Sequence, residues 1–268
     1  MQHKVQPWHL LIGLAGIGAG AAHATPTSAP LWGPSGLGIM PTTDTVPRRH
    51  GEVNLSFQNV DPEGGGNVRY FPVIMANYGF KRGEIGGGFV REKCDCGPTG
   101  SSGPFGLRYK YYNYGVLHAK YRVAGDPNRG AALAVGAHFL HFNSERGQYV
   151  GTGYLTGSLP LLRGGGELPK VRANLGVLYQ QIRLANRENV TRPAFGLEFL
   201  PSKSFSIVAD YIPKSGVAER LMSLSARYQG ETLGAAVGVG RLRDDTSIFG
   251  NVSYRFGVDD DDDDSSQH

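Results

Sequence analysis

The sequence lacks several features that define common classes of secreted and membrane proteins. Only two cysteines occur among 268 residues, which excludes a disulfide framework and a zinc site built from several cysteines. After residue 24 no apolar run reaches the ~20 residues that a spanning helix needs, and no helical periodicity stands out. The 40 glycines follow no period of three, so a collagen-like triple helix is excluded.

What the sequence does contain is glycine and aromatic residues. The glycine content is about twice the average for proteins, and there are 13 tyrosines and 12 phenylalanines. Aromatic and β-branched residues are too frequent for a wholly disordered chain. Together with modest hydrophobicity, this composition is typical of an all-β protein with many turns.

Residues 1–24 have the pattern of a secretory signal peptide. Lys4 precedes an apolar run from Leu10 to Ala22, and Ala22-His23-Ala24 offers small residues where a signal peptidase cleaves. An anchoring helix is the alternative, but the run of 13 residues is too short to span a bilayer. We therefore expect an exported protein.

Two further segments differ from the rest of the chain. Residues 25–50 are rich in proline, glycine, serine and threonine, which predicts a linker or a plug segment packed inside another element. Residues 258–268 contain Asp259–Asp264 and predict an acidic, disordered tail.

The body between these two segments is distinctly basic, so we expect anionic lipopolysaccharide, other outer-membrane lipid or acidic polysaccharide as partners, and no nucleic acid. Ordinary solubility charge is the alternative.

From Gly51 onward, apolar and polar residues alternate. Val53, Leu55 and Phe57 interleave with polar neighbours, which is the period of a strand with one apolar and one polar face. Similar segments recur to the end of the chain. The predicted strands cover residues 51–60, 68–80, 84–94, 115–124, 131–143, 148–160, 169–184, 192–201, 204–213, 221–230, 232–242 and 247–257.

This alternation suits either a soluble sandwich or an outer-membrane barrel. The signal peptide, strands of about ten residues and aromatics near strand ends, such as Tyr179 and Tyr228, favour the barrel. We predict an antiparallel transmembrane β-barrel over residues 51–257, with about 12 strands in a closed up-and-down meander. Odd-to-even connections, including residues 185–191, are predicted to be long external loops, whereas the other connections are mostly short periplasmic turns.

Two segments carry resemblances to known proteins. Residues 33–42, Gly-Pro-Ser-Gly-Leu-Gly-Ile-Met-Pro-Thr, lie just before the first strand. The stretch resembles the start of the YjbH-like family of bacterial outer-membrane barrels. This resemblance implies a role in exopolysaccharide secretion and no catalytic residues to carry over. Tyr254-Arg255-Phe256 is similar to the closing strand of outer-membrane barrels, which implies recognition by the barrel-insertion machinery.

The polar faces of the predicted strands supply the candidate site. These residues form either an ion-paired ladder that fills the lumen or a path that favours anions. The predicted lumen-lining residues are Glu52, Lys120, Arg122, Arg172, Glu198, Asp210, Arg227 and Arg255.

Three other groups were considered as chemical sites. Cys94 and Cys96 could form a disulfide or, less readily, hold a soft metal. His141 and Ser144 are three residues apart in a strand and so face opposite sides, while His138 is too far from Ser144 for a catalytic dyad. The aspartate run lacks the loop geometry of a calcium site. We expect no metal, no cofactor and no enzymatic activity.

The sequence therefore predicts a porin-like protein of the cell envelope, located in the bacterial outer membrane. Its predicted function is a pore, or an accessory, for export of polar or anionic solutes or exopolysaccharide. One alternative is a non-transporting structural or adhesive surface barrel. Another is a soluble, secreted β-sandwich that binds carbohydrate. The sequence leaves open the solute, the oligomeric state and whether residues 25–50 plug the lumen.

Overall fold

A computed structural model describes residues 39–61, 68–94, 111–142, 148–163, 169–183, 187–216, 218–242 and 245–257. The predicted signal peptide at 1–24 and acidic tail at 258–268 lie outside these residues. No helix in the described part of the chain is long and apolar enough to cross a membrane.

The described residues form twelve strands. They are β1 (His50–Asp61), β2 (Val68–Phe80), β3 (Gly83–Cys94), β4 (Tyr111–Gly125), β5 (Ala132–Phe142), β6 (Tyr149–Arg163), β7 (Pro169–Arg183), β8 (Arg187–Phe199), β9 (Phe205–Ile212), β10 (Leu221–Gln229), β11 (Leu233–Leu242) and β12 (Asp245–Gly257).

Each strand pairs antiparallel with its neighbours in the chain, and β1 pairs with β12 to close the sheet. The predicted fold, an antiparallel closed up-and-down barrel of about twelve strands, is confirmed. Closure pairs the first strand with the last, so neither β1 nor β12 is left as an edge of the sheet. The alternative of a soluble β-sandwich is wrong, because a sandwich needs two sheets packed face to face and this chain has one sheet closed on itself.

Several predicted boundaries are wrong by a few residues. The prediction started β4 at residue 115 and β8 at residue 192, whereas the strands begin at Tyr111 and Arg187. Polar residues at the beginning of β8, such as Asn189 and Thr191, obscure the alternation there. In β8, Glu188 pairs with Ile182, so the expected long connection at residues 185–191 is mostly strand.

The period of two separates the two faces of the wall. In β7, Leu175, Val177 and Tyr179 are exposed on the outside, whereas Arg172 and Asn174 are buried on the inside. The same division holds around the barrel: apolar side chains cover the outer face, and most inward side chains are polar. This arrangement is typical of barrels that face lipid on the outside.

The outer apolar band ends where the strands approach the long loops. In β1, Val53, Leu55 and Phe57 are followed on the same outward face by Asn59 and Asp61. We call this the loop end of the barrel, and the opposite end, where β1 begins and β12 finishes, the turn end.

The seam between β8 and β9 differs from the other seams. Only five residue pairs join the strands, from Phe195–Tyr211 to Phe199–Ile207, although β8 continues toward the loop end as far as Arg187. The rest of β8 is paired with β7 alone along the described ladder. From Phe195 toward the loop end, the outward residues of β8 are Pro193, Thr191 and Asn189.

Candidate functional site: a filled lumen

The predicted lumen residues lie on the inner face of the wall. Seven of the eight are buried, and Arg122, near the turn end, is half-buried. The buried seven are Glu52, Lys120, Arg172, Glu198, Asp210, Arg227 and Arg255. Because inward residues are buried on every strand, the described lumen is occupied rather than open.

Residues 39–49 account for much of this filling. They precede β1 and contact inward side chains on β3, β6, β7 and β9, so they lie inside the barrel rather than beside it. Met40, Thr42 and Thr43 are fully buried. We call residues 39–49 the inner segment.

Arg172 on β7 joins the inner segment to the wall. Its Nη1 and Nη2 donate to the two carboxylate oxygens of Asp44 at 3.0 and 2.7 Å. Its Nε donates to Glu198 Oε2 at 2.9 Å. One guanidinium therefore serves two carboxylates, with the bidentate geometry that makes such contacts strong and directional.

The electrostatics of Asp44 follow from this contact. Burial acts to raise the pKa of the Asp44 carboxyl, but the charge and hydrogen bonds of Arg172 outweigh burial and hold the pKa below its usual value. Asp44 is thus bound as the anion. Loss of its charge would weaken the attachment of the inner segment.

A second attachment lies nearer the turn end, on β3 and β4. The Val46 backbone N–H donates to Glu84 Oε2 at 2.9 Å, and Glu84 Oε1 lies 3.4 Å from Lys120 Nζ. Both of these wall side chains are fully buried. The pair holds the backbone of the inner segment against β3 and β4, whereas Arg172 holds it against β7.

Hydroxyl groups and a backbone amide complete the attachment. Thr43 Oγ1 donates to Ser158 Oγ at 2.7 Å, and Ser158 in turn donates to Asn174 Oδ1. The Ile39 N–H lies 3.4 Å from Asp210 Oδ2. The inner segment is therefore tied to β3, β6, β7 and β9 by polar contacts.

Glycines in the wall make room for this segment. A Cβ atom at Gly79 on β2 would overlap the carbonyl oxygens of Val46 and Pro47. At Gly176 on β7 it would lie 3.1 Å from the Met40 side chain. The Arg49 N–H also donates to the Gly79 carbonyl at 3.0 Å, so backbone meets backbone here.

Apolar contacts surround the deepest part of the inner segment. Met40 belongs to a buried cluster of inward residues on β6 to β9. Its other buried members are Tyr154, Leu178, Ala194, Val208 and Ile212. The Met40 side chain thus occupies space in the lumen that a side chain of the wall would otherwise have to occupy.

A second apolar cluster fills the lumen at the loop end of β1 to β5 without the inner segment. Tyr114 and Phe142 meet edge to face at 4.8 Å, and the Tyr114 hydroxyl donates to the buried Glu92. The cluster consists of Val60, Val68, Tyr70, Val73, Met75, Val90, Tyr114, Val116 and Phe142. We call this set the apolar cluster.

Several lumen residues were not among those predicted from the sequence. Asp44 was part of an unassigned linker, and Glu84, Glu92 and Arg192 were not distinguished from other strand residues. Alternation with outward Ile85 and Pro193 is the signal that could have found Glu84 and Arg192. No comparable signal marks Asp44, since its position depends on a contact between residues 128 positions apart.

With the missed wall residues included, the buried charges of the described wall balance, and Asp44 of the inner segment adds one further acid. The buried charged residues of the wall are five acids, Glu52, Glu84, Glu92, Glu198 and Asp210, and five bases, Lys120, Arg172, Arg192, Arg227 and Arg255. Arg255, for example, donates to Glu52 at 3.0 Å. Lys120 and Arg172 likewise form ion pairs with Glu84 and Glu198, whereas Arg192 donates to the backbone carbonyl of Glu219.

The other candidate groups are only partly described. Any pairing of Cys94 with Cys96 lies outside the described residues, as do Asn143 and Ser144. His138 lies on the inner face of the wall, whereas His141 is exposed on the outer face. Among the described residues, no group of three or more histidine, cysteine, aspartate or glutamate side chains could hold a metal ion.

Comparisons with known proteins reveal similarity in structure only. No family model matches the chain, and no curated protein does. The KdgM porin matches with a TM-score of 0.54 and 12% identity over 76% of this chain and 99% of that chain. The KdgM porin in complex with disordered oligogalacturonate gives the same values. An outer membrane channel from Pseudomonas putida F1 matches with a TM-score of 0.51 and 10% identity, over 80% of this chain and 98% of the other. At these identities the likeness shows the fold alone: this chain has the fold of outer-membrane barrels.

Proposed function

We propose that this protein is an outer-membrane channel whose lumen is closed by its own inner segment. One observation carries the proposal: inside a barrel with an apolar outer face, residues 39–49 occupy the lumen through side-chain contacts to four strands. Since the segment is joined to β1 at one end only in the described chain, it can leave without breaking a strand ladder.

The proposed location is the bacterial outer membrane. The exposed apolar side chains around the barrel would be unfavourable in water and favourable against lipid chains. Export by the predicted signal peptide and recognition of Tyr254-Arg255-Phe256 by the insertion machinery belong to the same proposal. Flotation of the refolded protein with liposomes tests this location.

Release of the inner segment is energetically reasonable. A buried ion pair contributes little net stability, because desolvation of both charges offsets most of their attraction. If the segment leaves, Arg172 keeps Glu198 as a partner, and water entering the lumen solvates the exposed charges. The segment is therefore held by contacts whose loss the open state can compensate.

The proposed solute is polar and of the saccharide class. The wall offers alternating acids and bases with serine, asparagine and glutamine, which bind hydroxyl-rich molecules well. The resemblance to the YjbH-like family points to exopolysaccharide export, and one structural neighbour was solved with disordered oligogalacturonate. A preference for anions stays part of the proposal, although the acids and bases of the wall balance.

A second candidate is a non-transporting structural or adhesive barrel. The observation that favours it is the burial of inward residues on every strand, including the apolar cluster, which is filled by the wall itself. In that case the inner segment is a permanent part of the core. The two candidates differ in whether a displaced segment leaves a conducting lumen.

Planar-bilayer conductance of a Gly79→Ala variant separates the candidates. The added methyl group overlaps the backbone of the inner segment and should displace it without removing a charge. Gly153→Ala is the matched control, since a Cβ there meets nothing within 4 Å. We expect the wild type and Gly153→Ala to be mostly closed and Gly79→Ala to conduct. If protease cuts the displaced segment and conductance stays absent, the structural candidate is correct.

A further inference from the structure

A groove on the outer face of the barrel has no role in the proposed channel. It has a volume of about 710 Å³ and extends over β8 to β12, within the range of ligand sites. Its outward lining residues are Phe195, Leu197, Ala209, Tyr211, Met222, Leu224, Val239, Arg241 and Thr246. All but Arg241 and Thr246 are apolar or aromatic.

The strand register explains the concave shape. Ala209 pairs with Leu197 on one side and with Leu224 on the other, so a methyl group lies between two large side chains. The result is an apolar depression between Leu197 and Leu224 on the outer face.

Among the described residues that line this groove, one cation, Arg241, lies at its loop end. Arg241 is exposed and outward-facing, one residue before the end of β11, and pairs in register with Met222 and Thr246. The structure records no ion pair for Arg241 with any described residue. An unpaired arginine beside an apolar depression fits a ligand with an anionic head and an apolar tail.

The position of Arg241 along the strand supports this assignment. Val239, Val237 and Leu233 continue the same outward face toward the turn end, so Arg241 marks the edge of the apolar band. Arginine costs little at a membrane interface and several times more at the midplane. If the barrel spans the membrane, the guanidinium lies at the level of lipid headgroups.

We propose that the groove binds lipopolysaccharide of the outer leaflet, with an acyl chain along Ala209 and a lipid A phosphate on Arg241. The inference rests on the proposed location in the outer membrane. The loop end faces outward in the proposed topology, and the outer leaflet of that membrane carries phosphorylated lipid A. Charge complementarity at Arg241 and the apolar lining both match this ligand.

Native mass spectrometry of the full chain, titrated with purified lipid A in detergent, measures the binding. Arg241→Gln should weaken lipid A binding on the order of tenfold, as expected for loss of a charge-assisted contact. Ala209→Phe fills the depression and should weaken it comparably. Arg183→Gln, also an outward arginine at the loop end, and Ala119→Phe, on the outer face of β4, should bind as the wild type does.

The lipid A result has two controls in ligand chemistry. Lipid A stripped of phosphate should bind the wild type as weakly as intact lipid A binds Arg241→Gln. Phosphatidylglycerol should bind the wild type more weakly than lipid A and lose less affinity on Arg241→Gln, because its headgroup carries a single phosphodiester charge. Equal binding of lipid A to wild type and Arg241→Gln, or an equal dependence of phosphatidylglycerol on Arg241, overturns the inference. Failure of the wild type to float with liposomes would instead overturn the proposed location.

Discussion

Two parts of the lumen are filled in different ways. At the loop end of β1 to β5, the wall's own apolar side chains meet one another, as with Tyr114 and Phe142. Beside β7 to β9, the space is filled by the inner segment, through Asp44 and Met40. The first part of the lumen is filled by side chains of the sheet itself, whereas the second part is filled by a segment that belongs to none of the strands.

The difference indicates which part of the lumen can open. The apolar cluster cannot leave, because its side chains belong to paired strands, and it would resist water since exposure of apolar surface is unfavourable. The inner segment can leave, and the wall it exposes combines polar residues, such as Arg172 and Ser158, with the apolar residues that contact Met40. We therefore expect an open pathway along β6 to β10, with the apolar cluster unchanged on the other side.

The largest expected effect comes from Arg172→Met. The change leaves Asp44 and Glu198 as buried carboxylates without their shared partner, and loss of one member of a buried ion pair costs about 3–5 kcal/mol. We expect the inner segment to leave the lumen and become accessible to protease in the folded barrel. A triple variant with Asp44→Asn and Glu198→Gln should restore protection in part, because no buried charge is then unpaired.

A continued protection of the inner segment in Arg172→Met would contradict this expectation. It would mean that Thr43, Val46 and Met40 alone hold the segment. The barrel itself should remain folded in either case, which migration of unheated and heated samples in gel electrophoresis can verify.

The next effect concerns the apolar cluster. Val90→Ala removes two fully buried methyl groups, which should lower the free energy of unfolding by about 2 kcal/mol. Urea unfolding in liposomes measures this loss. Because Val90 belongs to a cluster separate from Met40, the inner segment should stay protected and the conductance unchanged. An increase in conductance in Val90→Ala would mean that the two parts of the lumen are coupled.

The smallest effect is a dependence on pH. Arg172 holds the pKa of Asp44 below its unfolded value of about 3.9. The stability that the Asp44 contact gives to the bound inner segment is therefore complete above that pH, and it is lost as the pH falls through the lower folded value. Protease cleavage of the inner segment should thus be constant from neutral pH to about pH 4 and rise below it. Asp44→Asn should abolish the part of this rise that depends on Asp44, and an unchanged profile in that variant would contradict the assignment.

Much of the barrel could be predicted from local pattern. Alternation along single strands, such as β7 with outward Leu175 and Val177, gives both the strands and their faces, because side chains in a strand point to opposite sides in turn. The same alternation assigned the predicted basic residues of the lumen, including Arg172 and Arg255, to the inner face. The start of β8 was wrong because Asn189 and Thr191 are polar on the outward face.

The filling of the lumen could not be predicted in the same way. Asp44 precedes the first strand and meets Arg172 only because the barrel closes around it. The apolar cluster has inward residues that are apolar, such as Val90 and Val116, and each lies next to an apolar outward residue, Phe89 or Leu117, so that alternation is lost at these positions. Both features depend on contacts between distant strands.

A reversible lock on the inner segment tests the central claim most directly. Thr43 Oγ1 and Ser158 Oγ lie 2.7 Å apart, so Thr43→Cys with Ser158→Cys, in a chain with Cys94→Ala and Cys96→Ala, should form a disulfide between segment and wall. Combined with Gly79→Ala, which should open the channel, the oxidised protein should not conduct in a planar bilayer, and reduction should restore conductance in the same membrane. Conductance that is equal before and after reduction, with the disulfide verified by mass spectrometry, would contradict closure by the inner segment.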